Sequence, residues 1–246
     1  MTARLLAATF TLALLPAAGR ASIAPLPFRA EVNTWRATHI VVVQDGKVVE
    51  RWLGDFKAGD ALPAGADRFV TMPVPTLSKE LAADKVQVTG KRKVIFLAHG
   101  PLDGGDPKER HWMGACSAGH HANPDRPTSV AWVEGDRAFT VVGVDRSGGY
   151  ELIEEKGGVA AIKRRVDVGL KLKAELAAIK TDPDPTKRAA RLAEFEPAAR
   201  RYADSWASGE VVLEVGKCGA AAVPHLVTWY TQPGNQNGGY ALVVLC

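Results

Sequence analysis

THIVVVQDGKVVERWLGDFKAGDAL, residues 38–62, decides the fold class. Two apolar, β-branched runs flank Asp45-Gly46, and Trp52 closes the second before Gly54-Asp55 redirects the chain. Asp-Gly between such runs specifies a two-residue type I′ hairpin, because both central positions need positive φ. The hairpin is therefore the expected nucleus of a small β domain, with Trp52 in its core.

Outward from the hairpin, Ser22 to Arg29 reads as a Pro-rich extended lead-in, Glu31 to His39 as the chain entering the hairpin, and Arg68 to Pro75 as an edge strand limited by Pro73 and Pro75. Ser78 is placed to cap a short helix through Leu81. Arg92 to Ala98 (RKVIFLA) is a continuous apolar run, hence a buried central strand. Further strands are expected at Thr128–Val133, Ala138–Val144 and Tyr150–Ile153. Between them, His99 to Pro127 is rich in Gly, Pro, Asp and His and shows no period, which marks a long functional or irregular loop.

The period changes at Gly157. Val159, Ile162, Val166, Leu170, Leu172, Leu176 and Ile179 recur mostly three or four residues apart, so a long amphipathic helix runs to Asp182-Pro183-Asp184-Pro185. Thr186 is expected to cap the next helix and Pro197 to interrupt it. Tyr202 to Val215 reads as another helix closed by Gly219, and Pro224 to Trp229 as a further one. Strands followed by helices argue α+β: a β-barrel-like domain over 30–155 and helical hairpins over 156–246. Trp52, Trp132, Trp206 and Trp229 sit at periodic positions and are assigned to packing.

With 246 residues, 46% apolar and 24% charged, the composition is that of a globular protein able to bury a sizeable core. Residues 1–21 have the order of a secretory signal: Arg4, a short apolar run from Leu5 to Ala18, then small residues at Ala17, Gly19 and Ala21. That run is too short to span a bilayer, and a secreted or periplasmic location is expected. Without those residues the net charge falls from +4 to +2, too near neutral to point to nucleic acid. Cys116, Cys218 and Cys246 are odd in number, and export favours a Cys116–Cys218 disulfide.

HIVVV…GKVVERWLGDFKAGD, KRKVIFL, SVAWVEGDRAF and KCGAAAVPHL together resemble a group of uncharacterised exported bacterial proteins. The shared W-x-G-D-x-K-x-G-D segment implies a hairpin domain followed by degenerate HEAT-like helices. The β half is also similar to small Greek-key barrels of the oligonucleotide/oligosaccharide-binding (OB) and netrin-like shape. Netrin-like inhibitor domains open on Cys-x-Cys, which is absent here.

Three functions follow as expectations. A non-enzymatic interaction or scaffold module with a protein partner ranks first, because stacked helical hairpins present extended contact surfaces. Second is zinc or copper binding by His111, Cys116, His120 and His121 in loop 99–121, since imidazole and thiolate suit those ions. Their spacing matches no established ligand motif. Cys116 as a nucleophile and a peptidase-inhibitor-like barrel stand behind these. Residues 156–203 carry 12 basic against 6 acidic residues, read as solvated helix faces in preference to an anion-binding surface. Gly157-Gly158 is read as helix initiation and not as a phosphate cradle.

Overall fold

A computed structural model describes residues 27–101, 106, 108–117, 127–143 and 149–231. The expected signal segment, His120, His121 and Cys246 lie outside the described residues.

Strands β1 (His39–Gln44) and β2 (Lys47–Leu53) form the hairpin, with Asp45 at φ 47° and Gly46 at φ 85° as a type I′ turn demands. The remaining strands are β3 (Thr76–Leu77), β4 (Arg92–Gly100), β5 (His111–Gly114), β6 (Val130–Glu134), β7 (Arg137–Gly143) and β8 (Tyr150–Glu154). They make one eight-stranded sheet in the order β2-β1-β4-β6-β7-β8-β3, with β5 on β4. β4 is long enough to hold two partners in tandem on one side: Arg92–Ile95 pairs with β6 and Leu97–Gly100 with β5. Its centre (Val94 to Leu97) is fully buried, as a strand covered on both faces must be.

The fold is mixed α+β with a helical C-terminal half, but the sheet is open and not a barrel. β2 ends it on one side, exposing Lys47, Glu50 and Arg51, charges that discourage further pairing. On the other side β3 has two residues and follows Pro73 and Pro75, whose missing N–H groups leave little to pair.

Two short helices flank the hairpin, the second of them where an edge strand is expected. α1 (Ala30–Arg36) buries Ala30, Val32, Asn33, Thr34 and Trp35, so it carries no polar stripe from which a helical period could be read. Asn33 Nδ2 donates to the Thr128 carbonyl at 2.7 Å, tying α1 to the chain entering β6. α2 (Arg68–Thr71) replaces the expected edge strand: Asp67 caps it through the Arg68 N–H, and Phe69 is wholly buried. Its end carbonyls receive the Lys93 ammonium, which donates to Phe69, Val70 and Met72, the last at 2.8 Å. α3 (Lys79–Ala83) begins at Ser78 as expected.

α4 (Gly158–Lys180) spans both halves. Ile162 and Val166 join the sheet core, whereas Leu176 and Ile179 join a second core with Trp35 and the later helices. α5 (Pro185–Gly216) is capped by Asp184, not Thr186: Asp184 Oδ1 accepts from the N–H groups of Thr186 and Lys187 at 2.9 and 3.2 Å, and Pro185 takes the first turn. Pro197 does not interrupt the helix. The break falls at Ala203 (φ −132°, ψ 30°) and Asp204 (φ 52°, ψ −144°).

That break is a reversal. Ser208 Oγ donates to the buried Glu196 carboxylate, and Arg188 Nε donates to Cys218 Sγ at 3.3 Å. In a straight helix residues twelve apart lie about 18 Å from each other. Both pairs are centred on residues 202–203, so legs 185–202 and 205–216 run antiparallel. α6 (Val223–Thr231) then packs on the second leg through Leu226 and Trp229. Trp52, Trp132 and Trp229 are buried; Trp206 is not, lying 37% exposed beneath the Arg36 guanidinium at 4.3 Å. It follows the reversal directly, where the chain faces outward.

Gly169 marks the tightest approach. A Cβ there would lie 2.1 Å from Tyr202 Oη and 2.8 Å from Thr34 Cγ2. Alanine would gain about 1 kcal/mol of helix propensity, but overpacking costs roughly 1–3 kcal/mol. It would also disturb the 2.7 Å bond from Tyr202 Oη to the Arg165 carbonyl. Gly169→Ala should therefore lower stability by about 1–3 kcal/mol in urea unfolding; a gain in stability would refute the packing argument.

Burial pulls the Lys93 ammonium from 10.5 down to about 8. Between pH 8 and 10.5 the unfolded chain then binds the proton that the folded chain has lost, so stability rises with pH across that window. The rise between pH 8 and pH 10 should be about 2 kcal/mol and be missing in Lys93→Met, as paired unfolding curves at those two pH values would record.

Candidate functional site

Of the residues expected to bind metal, His111 and Cys116 stand at opposite ends of β5. His111 opens that strand opposite Gly100 and lies 3.3 Å from the Glu109 carboxylate. Cys116 comes after the strand, in the 3₁₀ turn Ala115–Ser117, where its N–H donates to Ser129 Oγ at 2.9 Å. The three steps from His111 to Gly114 alone span about 10 Å of strand. Among the described residues no three His, Cys, Asp or Glu side chains converge to hold a metal ion. No imidazole there bonds the Cys116 thiol, so neither a zinc or copper set nor a Cys–His dyad is assembled from them. The expected Cys116–Cys218 disulfide is not formed; both thiols are free, Cys116 beside the sheet and Cys218 buried among the helices.

Among the described residues, His39 and His99 come together on the Trp112 ring. His39 begins β1, Asp55 and Phe56 follow β2, His99 lies near the end of β4, and Trp112 is its cross-strand partner on β5. The His99 ring stacks on Trp112 at 4.2 Å with a 10° interplanar angle. His39 meets Trp112 edge-on at 4.9 Å and Phe56 at 5.1 Å. Burial, then the electrostatic influence of Arg110 and His39, hold the His99 pKa below its usual value.

Thr38, His39 and Asp55 line up like a hydroxyl–imidazole–carboxylate relay, with Thr38 Oγ1 2.9 Å from Nδ1 and Asp55 Oδ1 3.0 Å from Nε2. The hydroxyl oxygen, however, already accepts the His99 N–H at 2.9 Å, and the Asp55 side chain is 93% exposed. A nucleophile needs a free oxygen beside a sheltered reacting position; this arrangement is a hydrogen-bonded ring stack. Sequence reasoning grouped His99 with its loop and missed His39, Phe56 and Trp112. The available signal was Gly54: at φ 94°, its missing Cβ would sit 2.1 Å from His39 Cδ2.

A different kind of surface lies on α6. Leu226 and Trp229 face the helical core, yet Val223, Val227 and Tyr230 are 46%, 44% and 51% exposed. Spacings of four and three put these on one outward stripe. Thr228 Oγ1 and Thr231 Oγ1 both donate back to carbonyls of their own helix at 2.8 Å, turning polar groups away from solvent. Leu213, on the second leg of α5, is 47% exposed as well. A helix apolar on both sides is usually covered on both sides.

Gly54→Ala forces the His39 ring to move and strains a left-handed position. It should change Trp112 fluorescence and near-ultraviolet circular dichroism while far-ultraviolet dichroism holds; unchanged near-ultraviolet spectra would argue against the ring stack. No protein-family model matches the chain, and no curated protein or solved structure does.

Proposed function

We propose that the protein is a non-enzymatic interaction module whose α6 stripe receives an apolar helical face of a partner protein. The observation that carries this reading is the outward row Val223, Val227 and Tyr230, on a helix whose inner face is already packed. The antiparallel run of α4 and the two legs of α5 supports it. In stacked helical repeats of the HEAT kind, each unit buries its apolar face on its neighbour. A partner offering residues at the same three- and four-residue spacing continues that stack. The signal-like order of residues 1–21 supports a role outside the cytoplasm.

The test is site-specific photo-crosslinking in the exporting host. A benzoylphenylalanine at position 230 should give one saturable adduct with a second protein, lost in Val227→Asp by about tenfold or more. The same probe at exposed Lys187 should not give it. Adducts insensitive to Val227→Asp, or formed only between copies of this chain, would overturn the proposal.

A further inference from the structure

α1, the start of α4 and the end of the first α5 leg enclose an open cleft of about 670 Å³, within the range of small-molecule sites. Five cations line it, Arg29, Lys156, Arg164, Arg165 and Arg201, against two carboxylates, Glu31 and Glu155. The carboxylates are already engaged. Arg165 holds Glu155 at 2.7 Å and Glu31 at 3.6 Å, and Arg29 pairs with Asp204 just beyond the rim. Lys156, Arg164 and Arg201 have no carboxylate partner among the described residues. Lys156 and Arg164 belong to α4 and the turn that opens it, and folding brings Arg201 of the first α5 leg to them.

Two further observations sharpen this. Arg164 lies against the first turn of α4, which has no acidic residue and no side-chain cap. A cation at the positive end of a helix is unfavourable unless an anion is shared between them. The first backbone donors there are already spent, since Gly158 N–H goes to the Glu155 carbonyl and Val159 N–H to Asp136. Recognition would therefore fall to the side chains. Asp204 also keeps a conformation (φ 52°, ψ −144°) that favours glycine, and its carboxylate is what occupies Arg29.

We infer that this cleft binds a small oxyanion carrying two or more negative charges, clasped by Arg164, Arg201 and Lys156 and sized for a polycarboxylate or a diphosphate. Guanidinium groups take either chemistry through paired N–H donors. Phe28, Ala161 and Val168 supply an apolar wall for a carbon skeleton. Arg165 is the strut that keeps the neighbouring carboxylates off the ligand. This site is independent of the α6 stripe and uses a different face of the helices.

Isothermal titration of the full chain with citrate and with pyrophosphate, in low salt and against matched sodium chloride, tests it. Saturable binding of either anion is expected, weakening as ionic strength rises; the tighter of the two names the source as carboxylate or phosphate. Arg164→Gln and Arg201→Gln, both at exposed helix positions, should each weaken binding by about tenfold or more, with unchanged thermal midpoints in the absence of ligand. Lys187→Gln, away from the cleft, should not. Asp204→Gly releases Arg29 and relieves the backbone, so it should tighten binding severalfold without loss of stability. No saturable binding of either anion, or binding indifferent to the Arg164→Gln/Arg201→Gln pair, overturns the inference.

Discussion

Three helices converge on the missing side chain of Gly169. α4 can approach the first leg of α5 closely enough for Tyr202 to bond the Arg165 carbonyl only because that position has no Cβ. Thr34 of α1 presses against the same spot. α1 is thereby wedged between the helices and the sheet, with Asn33 bonded to the Thr128 carbonyl on one side and Trp35 Nε1 to Glu210 at 2.9 Å on the other. Remove the close approach, and the helical core would lose its register on the sheet core. Seven residues of helix are too few to persist alone; α1 exists because it is held on every side.

Buried charge serves the same purpose. α1 ends on the buried Ala37, and α2 turns its last carbonyls toward the buried Lys93; the last carbonyls of a helix have no partner within it. Each is met by an ammonium from a longer neighbour: Lys173 of α4 donates to the Thr34 and Ala37 carbonyls, the latter at 2.7 Å, and Lys93 of β4 donates to the end of α2. Cations at helix C-termini also oppose the helix dipole favourably. Burial lowers the pKa of both lysines, the expected cost of placing an ammonium among backbone carbonyls and side chains. Glu196 is the acidic counterpart, a buried carboxylate fixed by Ser208 and lying 3.4 Å from Arg200.

These devices explain which parts of the chain were legible. The Asp45-Gly46 hairpin, β4 and α4 announce themselves because each satisfies its own rule locally, through turn chemistry, an unbroken apolar run, or a 3.6-residue period. α1 and α2 obey no such rule: α1 buries five of its seven residues, polar Asn33 and Thr34 among them, and α2 is a single turn ended by a lysine more than twenty residues away. The α5 reversal was hidden for a related reason. Pro197 looked like the breaker, but the helix tolerates it, and the true turn uses Ala203 and Asp204, which nothing in the local composition marks. The ring stack of His39, Phe56, His99 and Trp112 escaped because its members meet only through β1–β4 and β4–β5 pairing. Clustering in sequence favoured His111 and Cys116 instead, which the intervening strand keeps apart.

The identity of residue 204 connects architecture to function. A reversal optimised for stability alone would place glycine at φ 52°, since any side chain there carries strain of order 1–3 kcal/mol. Aspartate offsets part of that by its ion pair with Arg29, but the pair is half exposed, and exposed pairs contribute at most about 1 kcal/mol. The balance does not favour aspartate on stability grounds. It does favour it where the charge of Arg29 has to be moderated at the rim of a cationic cleft. The same turn folds the second leg of α5 back and so positions α6. One strained residue thus sits where the course of the helices and the charge of the cleft are both decided.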